Sequence, residues 1–207
     1  MKINTNEISK IINGTGSFAE TGLVADAKSY LRNSHPTKSN AENEKQIKRY
    51  EEEALKKFAT INNLWITDLG TRFEGGSEQD VFFINNNNYL LKANTGIFYD
   101  TWTDYLNNLI LHNLFFPATK YELIGFNNSN NKFKCVVKQP IVVADDSVDI
   151  NDLKKFLKNI GFINLRKNDY LYTKLDIILE DLHDENVLTY KDIPYFIDTV
   201  FYYKPKK

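Results

Sequence analysis

Cysteine is almost absent from this sequence, since Cys135 is the only one among 207 residues. A single cysteine excludes an intrachain disulfide and a cysteine-based zinc site. Cys135 lies in the run KFKCVVK, beside two valines, so we expect it to be a small core residue. A reactive nucleophile is the alternative for this position.

An excess of charge of one sign is also missing. The chain has 26 Lys and Arg against 27 Asp and Glu, which gives a formal net charge of −1. This balance provides no overall attraction to nucleic acid or to an anionic membrane, although a local basic patch at Lys204, Lys206 and Lys207 stays an alternative. We therefore do not expect nucleic acid as a partner.

Long apolar runs are lacking as well. None approaches the roughly 18 residues of a membrane span, and the N-terminus has no apolar core of a signal peptide. We expect a soluble, cytoplasmic protein without a membrane partner. The hydrophobic content of 42% is ordinary for a globular protein, and 207 residues suffice for one domain or for a small two-lobed one.

The chain divides into three predicted parts. Residues 1–40 are expected to be a tail and linker, because short apolar groups alternate with glycines and the polar run NSHPTKSN follows at 33–40. Residues 41–140 begin with a helix from about Asn40 to Asn62, which Asn40 or Asn43 is placed to cap. Residues 141–207 form the third part.

The order of patterns after that first helix favours an antiparallel sheet with one inserted helix. We predict strands at 69–73, 81–84 and 89–93, a helix at 100–114, a hairpin of strands 121–126 and 133–137, and a helix at 151–159 that ends at Gly161. Short strands and an acidic loop are expected to follow.

Chemistry is concentrated in the segment LEDLHDENVLTYKDIPYFIDTVF at 179–201. Asn186 follows Asp181 by five residues, and Asp198 comes after a predicted hairpin of strands 187–188 and 195–197 with a turn at 190–192. Kinase-type phosphoryl transfer uses an Asp beside the acceptor hydroxyl, an Asn five residues later and a second Asp after a short hairpin. The segment therefore indicates phosphoryl transfer.

The charges of this segment point the same way. Acidic residues stand at 180, 181, 184 and 185, and on a helix each like-charged pair would cost roughly 0.2–0.5 kcal/mol. A loop that faces a divalent cation removes the repulsion, and Mg²⁺ prefers such hard oxygen ligands. The alternative is an acidic, solvated surface turn.

Five strings carry a family resemblance in their joint order: EGGSEQDVF at 74–82, YLLKAN at 89–94, ELIGF at 122–126, EDLHDENVL at 180–188 and YFID at 195–198. Over about residues 42–203 the sequence resembles the compact protein-kinase-like domains found in polyvalent proteins of bacterial mobile elements and phages. The resemblance implies an α+β, protein-kinase-like fold with a five-stranded antiparallel N-lobe sheet, one inserted helix and a much reduced C-terminal lobe.

The resemblance also assigns nucleotide-binding residues. Gly75, Gly76 and Ser77 would form the turn over the phosphates, for which an ordinary hairpin turn is the alternative. Lys92 would place its ammonium group against the α- and β-phosphates and count among the catalytic residues, whereas alone it reads as an exposed strand lysine. Gln139 and Ile141 would belong to the hinge whose backbone meets the adenine ring.

The remaining assignments concern catalysis and metal binding. Asp181 would orient the acceptor hydroxyl and take its proton, and His183 would brace the loop, with metal binding as its alternative. Asn186 and Asp198 would hold magnesium. The expected cofactors are thus ATP and Mg²⁺, and neither His35 nor His112 is given a role.

Three departures from the kinase pattern leave the function partly open. Residues 100–114 contain no Glu to pair with Lys92, Thr199 and Val200 replace the usual Phe-Gly, and nine residues after Asp198 leave no room for an activation segment. The resemblance favours a protein Ser, Thr or Tyr hydroxyl as acceptor, while Asp-x-His-x-x-Asn is typical of small-molecule phosphotransferases. There are two alternatives. One is a degenerate kinase-like domain that binds nucleotide or a partner protein without turnover, and the other is a non-nucleotide interaction module.

Overall fold

A computed structural model describes residues 5–12, 22–34, 43–75, 78–84, 88–183 and 185–203. Helices and strands form an α+β arrangement in which the paired strands are antiparallel. The helices are α1 (Thr5–Ile12), α2 (Leu23–Ser34), α3 (Glu44–Ile61), α4 (Trp102–Phe115) and α5 (Ile150–Asn159), with a 3₁₀ turn at Pro117–Thr119. The strands are β1 (Thr71–Gly75), β2 (Gln79–Phe83), β3 (Tyr89–Asn94), β4 (Glu122–Ser129), β5 (Lys132–Pro140), β6 (Phe162–Arg166), β7 (Asp169–Tyr172), β8 (Ile177–Glu180), β9 (Val187–Tyr190), β10 (Ile193–Phe196) and β11 (Val200–Tyr203).

The described residues group into two units. The five-stranded unit comprises those within 19–109 and 121–141, and the four-stranded unit comprises those within 1–18, 110–120 and 142–207. The sequence-based division at residues 40 and 140 stays a prediction. No helix among the described residues is both long and apolar enough to cross a membrane.

The five-stranded unit contains the predicted antiparallel sheet, with strand order β1-β2-β3-β5-β4. The expected hairpin of 121–126 and 133–137 was predicted too short, because β4 and β5 pair as far as Ser129 and Lys132. Asn130 and Asn131 form the turn with φ of 55° and 57°. Asparagine tolerates this left-handed backbone, so two residues close the hairpin and the preceding asparagines remain in the strand.

Helix α3 begins as predicted, because Asn43 accepts a hydrogen bond from Gln46 N at 3.0 Å. The chain after α3 then lies along β4, where Ile66 N donates to Phe126 O at 2.8 Å and Phe126 N donates to Leu64 O at 2.9 Å. Gly125 permits this approach, since an added Cβ would collide with the Leu64 carbonyl oxygen. The backbone therefore holds the end of α3 against the sheet.

Helix α3 also fixes the start of α4. Glu51, 3% exposed, accepts hydrogen bonds from Thr103 N at 3.0 Å and from Thr103 Oγ1 at 2.6 Å. A carboxylate at a helix N-terminus satisfies unpaired N–H groups and complements the helix dipole. One turn earlier on α3, Lys48 Nζ donates to the carbonyl oxygens of Gly96 and Tyr99 in the loop that leads into α4.

The described residues include a core cluster in each unit. In the five-stranded unit, Leu69, Leu91, Ala93 and Val136 are buried together. In the four-stranded unit, α5 packs beside a sheet of order β11-β8-β7-β6, and Asp149 caps α5 by accepting from Asn151 N and Asp152 N. The buried core there includes residues from the strands, from α5 and from the end of α4 with the residue after it: Phe115, Phe116, Leu153, Leu157, Phe162, Tyr170, Tyr172, Ile177, Leu179, Phe196 and Phe201.

Cys135 is a core residue, as predicted, with no exposed surface. It lies on β5 opposite Phe126 of β4 and Asn94 of β3. Burial raises the pKa of its thiol well above the ordinary value, which disfavours the reactive thiolate. The nucleophile alternative is therefore not supported by its surroundings.

Replacing Glu51 by Ala is expected to lower the free energy of unfolding by about 2 kcal/mol, because the Thr103 hydrogen-bond donors lose a buried acceptor. Urea denaturation measures the loss. Glu53→Ala on the same helix is the control, since the Glu53 side chain is 66% exposed and pairs with Lys56 on the surface. Its effect should stay within about 0.5 kcal/mol, and equal losses in both variants would show that the contact from Glu51 to Thr103 does not hold α4.

Candidate functional site

The ends of β8 and β11 define the place of the candidate site in the four-stranded unit. These strands are antiparallel neighbours, and Glu180 of β8 lies opposite Val200 of β11. Because partners in an antiparallel pair run in opposite directions, the residue after β8 and the residues before β11 leave the sheet at the same end. The register of the sheet therefore brings Asp181 and Asp198 to the same end of its strands.

The hairpin predicted between Asn186 and Asp198 is present. β9 and β10 pair from Val187 opposite Phe196 to Tyr190 opposite Ile193. Its turn is shorter than the predicted 190–192, since Lys191 and Asp192 close it alone with φ of 50° and 61°. Two central residues with positive φ give the turn twist that matches two antiparallel strands, so Tyr190 stays in the ladder.

Asn186 connects the two acidic positions. Its Nδ2 donates to Asp181 O at 2.8 Å, and its own carbonyl oxygen accepts from Ile197 N at 2.9 Å and from Asp198 N at 3.3 Å. A carbonyl oxygen only accepts, so the side-chain atom facing Asp181 O is the amide nitrogen. The amide oxygen Oδ1 is therefore not the atom that faces Asp181 O.

Asp181 has an unusual backbone conformation. Its φ is 61°, in the left-handed region, and its side chain is 65% exposed. A non-glycine residue there carries strain, which Asp tolerates better than most residues and which is often found at functional sites. This conformation follows the last residue of β8, Glu180, and ends the strand.

His183 lies among its neighbours in the loop. Its Nδ1 is 3.3 Å from Glu185 N, and its Nε2 is 3.1 Å from Asn186 Nδ2 and 3.6 Å from Asp181 Oδ1. The neutral ring with its proton on Nε2 satisfies the contacts with Glu185 and Asp181, and the other tautomer satisfies the contact with Asn186. The ring spans the loop in either form, which suits bracing, and its role stays a prediction.

The junction that carries Asp198 is held by a residue to which the sequence gave no role. His112 of α4 is fully buried, with Nδ1 2.7 Å from Thr199 Oγ1 and Nε2 2.9 Å from Thr119 O. Thr199 is 2% exposed and follows Asp198 directly. No local motif signals this contact, because 87 residues separate the two partners.

Aromatic stacking fixes both flanks of the same junction. The Phe116 ring stacks on the Phe196 ring with centroids 3.7 Å apart and an interplanar angle of 11°. The Phe115 ring stacks on Phe201 at 5.5 Å and 15°. The residues around the end of α4 thus contact the chain before, at and after the Asp198 junction.

Lys92 lies in the five-stranded unit, where the alternative of an exposed strand lysine is wrong. The residue is 5% exposed, and its Nζ is 5.7 Å from the centroid of the Tyr121 ring. On β3 it sits between Val81 of β2 and Val137 of β5. A buried ammonium group is unfavourable unless other groups compensate its charge. A lysine at this position therefore needs a specific reason, such as binding a ligand, which a solvated lysine does not.

The predicted phosphate turn falls only partly within the described residues. Gly75 ends β1 opposite Asp80 of β2, while Gly76 and Ser77 lie outside the described residues. Asp80 accepts hydrogen bonds from Arg72 and from Lys134, which is 8% exposed. Burial alone would raise the pKa of Asp80, but these two hydrogen bonds outweigh it and the pKa lies below the ordinary value.

The strand before the predicted hinge extends further than the sequence indicated. β5 runs through Pro140, so Gln139 is a strand residue opposite Leu90, and its exposure is 2%. Ile141 N donates to Asn88 O at 3.0 Å, which continues the pairing beyond the strand. The N–H of Ile141 is thereby engaged within the protein.

The chain was compared with family models, with curated proteins and with solved structures. Residues 48–205 match the model of the serine/threonine/tyrosine kinases found in polyvalent proteins. The chain belongs to this kinase family. No match was found among the curated proteins or the solved structures.

Helix α4 follows the strand that carries Lys92 and departs from the kinase pattern, in which this helix provides a Glu. The helix contains no Glu, and Asp104 accepts from Thr101 Oγ1 at 2.6 Å, which engages its carboxylate at the start of the same helix. Asn108 is 3% exposed and is the buried polar residue of α4 in the five-stranded unit.

The donor set at the candidate metal position fits a magnesium ion. Asn186 and Asp198 offer an amide oxygen and a carboxylate, both hard oxygen ligands, on backbone segments joined by hydrogen bonds. Magnesium commonly takes one or two carboxylates together with phosphate oxygens and water. Among the described residues, no cluster of three or more His, Cys, Asp or Glu is placed to hold a metal.

Glycine at position 181 is expected to give a more stable protein than alanine by about 1 kcal/mol, because only glycine adopts a left-handed backbone without strain. The order should reverse at Lys155, which lies in the middle of α5 with a side chain 74% exposed, since alanine stabilises a helix interior by about 1 kcal/mol over glycine. Urea denaturation of the four variants measures both differences. The same order at both positions would contradict the backbone conformation of Asp181.

Proposed function

We propose that the chain is an ATP- and magnesium-dependent phosphotransferase that transfers the γ-phosphoryl group to a hydroxyl. The observation that carries the proposal is the double attachment of Asn186, which binds Asp181 O through its side chain and Asp198 N through its backbone. One residue thereby ties the proposed proton acceptor to the proposed metal ligand. A solvated acidic turn has no need for this connection.

In this proposal the loop residues have separate roles. Asp181 orients the acceptor hydroxyl and accepts its proton, and its exposed carboxylate is accessible to an acceptor. Asn186 Oδ1 and Asp198 hold magnesium, which neutralises charge on the transferred phosphoryl group when it is bound. His183 keeps the loop in shape through its contacts with the neighbouring residues.

The five-stranded unit supplies the nucleotide contacts in this proposal. Lys92 binds the phosphates with an ammonium group whose position is fixed by strands on both sides. Gly75, Gly76 and Ser77 cover the phosphates through backbone N–H groups. Because the N–H of Ile141 is engaged, its carbonyl oxygen is the better candidate to accept from the adenine amino group, and Gln139 supports the strand that leads to it.

The proposed acceptor is a protein Ser, Thr or Tyr hydroxyl. The family description supports this choice, since it names kinases of these three residues. The same resemblance supports an origin in polyvalent proteins of mobile elements and phages. A small-molecule hydroxyl remains the alternative acceptor.

Labelled ATP tests the proposal. Wild-type protein should transfer label to itself or to proteins of a cell lysate in the presence of Mg²⁺. Asp181→Asn and Asp198→Ala should each reduce transfer by about 100-fold or more, because one loses the proton acceptor and the other a metal ligand. The measurement is the initial rate of label incorporation.

Asp192→Asn is a matched control for Asp181→Asn. Asp192 lies at the tip of the hairpin, is exposed and has the same φ of 61°. Asn tolerates this backbone as well as Asp does, so both substitutions preserve the fold and differ in what the carboxylate is proposed to do. Equal activity of wild type and Asp181→Asn, or no transfer by wild type, would contradict the proposal.

A nucleotide-binding domain without turnover is the second candidate function. The absence of Glu from α4 favours it, because in active kinases a Glu of this helix pairs with the strand lysine. This candidate predicts that ATP raises the melting temperature while no label is transferred. An interaction module that does not bind nucleotide would show neither effect.

A further inference from the structure

We infer that His112 is a positioning residue for the metal ligand Asp198 and acts through the hydroxyl of Thr199. The inference rests on the proposed function, since it concerns how the magnesium ligand of that same site is held. It assigns a role to two residues that carry no recognised motif, and each step follows from contacts within the four-stranded unit.

The first step is the protonation of His112. Thr119 O lies 2.9 Å from Nε2, and a carbonyl oxygen only accepts, so Nε2 carries a proton. In the neutral ring Nδ1 is then an acceptor, and Thr199 Oγ1 donates to it at 2.7 Å. For this neutral tautomer the hydrogen bond runs from Thr199 to His112, and the imidazole is held at both nitrogens. Thr119 Oγ1 also lies 3.3 Å from Nε2.

The second step concerns the chain around Asp198, which the strand pairing of the two sheets does not hold. β10 ends at Phe196 and β11 begins at Val200, and these strands belong to different sheets. Residues 197–199 consequently lie outside both ladders. On the N-terminal side, Asn186 O accepts from Ile197 N and, at a longer 3.3 Å, from Asp198 N.

The third step is the location of Asp198 between two attachments. Asn186 holds the chain before its carboxylate, and the hydrogen bond from Thr199 to His112 holds the chain directly after it. A metal ligand needs its carboxylate restricted in this way, and loss of an outer contact that orients a ligand typically costs 10- to 100-fold in metal affinity. A purely apolar residue at 199 would pack in the core but would not fix the backbone by a directional bond.

Thr199→Val and Thr199→Ser test the inference, because valine keeps the shape of threonine and serine keeps its hydroxyl. Mn²⁺ titration in the presence of a non-hydrolysable ATP analogue measures the metal affinity by electron paramagnetic resonance. Thr199→Val should weaken Mn²⁺ binding about tenfold, and Thr199→Ser should stay within about twofold of wild type. Hydrogen exchange of the peptide 195–201 without ligand should be faster in Thr199→Val than in Thr199→Ser.

Thr119→Val is the matched structural control. Thr119 is 1% exposed and keeps its backbone contact with His112 when the side chain changes. This variant loses a buried hydroxyl close to the same imidazole, so its stability falls while its Mn²⁺ affinity should match wild type. His112→Leu should reproduce the Mn²⁺ effect of Thr199→Val, and the double variant should be no weaker than either single variant, because both remove one bond.

The outcomes separate the two proposals. If Thr199→Val binds Mn²⁺ as wild type does and wild type transfers phosphate, the positioning role is overturned and the proposed function stands. If Thr119→Val and Thr199→Val lose metal affinity equally, the effect is general destabilisation and the inference is overturned. If wild type binds no Mn²⁺ with the nucleotide analogue, the proposed function fails and the inference fails with it.

Discussion

The attachment of the 196–201 chain segment to the end of α4 is the interaction on which the candidate site depends. His112 binds Thr199, the Phe116 ring stacks on Phe196 and the Phe115 ring stacks on Phe201. The stacked rings hold the chain on both sides of Asp198, but they do not fix the backbone between them. A hydrogen bond has a preferred direction and does. The combination of apolar contact and one buried polar bond determines where the intervening Asp198 lies.

The rest of the site follows from sheet register and from one asparagine. The pairing of Glu180 with Val200 brings the end of β8 and the start of β11 together, and the β9–β10 hairpin returns the chain to Asn186. The side chain of Asn186 then donates a hydrogen bond to Asp181 O, and its backbone carbonyl accepts one from Asp198 N. The residues proposed to carry the chemistry therefore lie on loops, and each loop is anchored in strands or in a helix end.

Sequence patterns predicted the features that depend on neighbouring residues. The Asn43 cap, the strands of the five-stranded sheet, the helix at 102–115 and the hairpin before Asp198 all carry local signals of capping, alternation or turn formation. Contacts between distant residues were not predictable. Glu51 and Thr103 are 52 residues apart, and neither belongs to a motif that names the other. The length of the β4–β5 hairpin was misjudged because asparagines that look like turn residues lie within the strands, where their backbone groups pair.

Paramagnetic broadening of amide signals by Mn²⁺ together with ATP tests the central claim most directly, because it reports which residues lie near the bound metal. The account predicts that the amide signals of Asn186 and Asp198 lose intensity when Mn²⁺ and ATP are added to wild-type protein. In Asp198→Ala both Asn186 and position 198 should keep their intensity. Unchanged signals in the wild type, or broadening confined to exposed carboxylates such as Asp152 on α5, would contradict a metal site at the Asn186 and Asp198 junction.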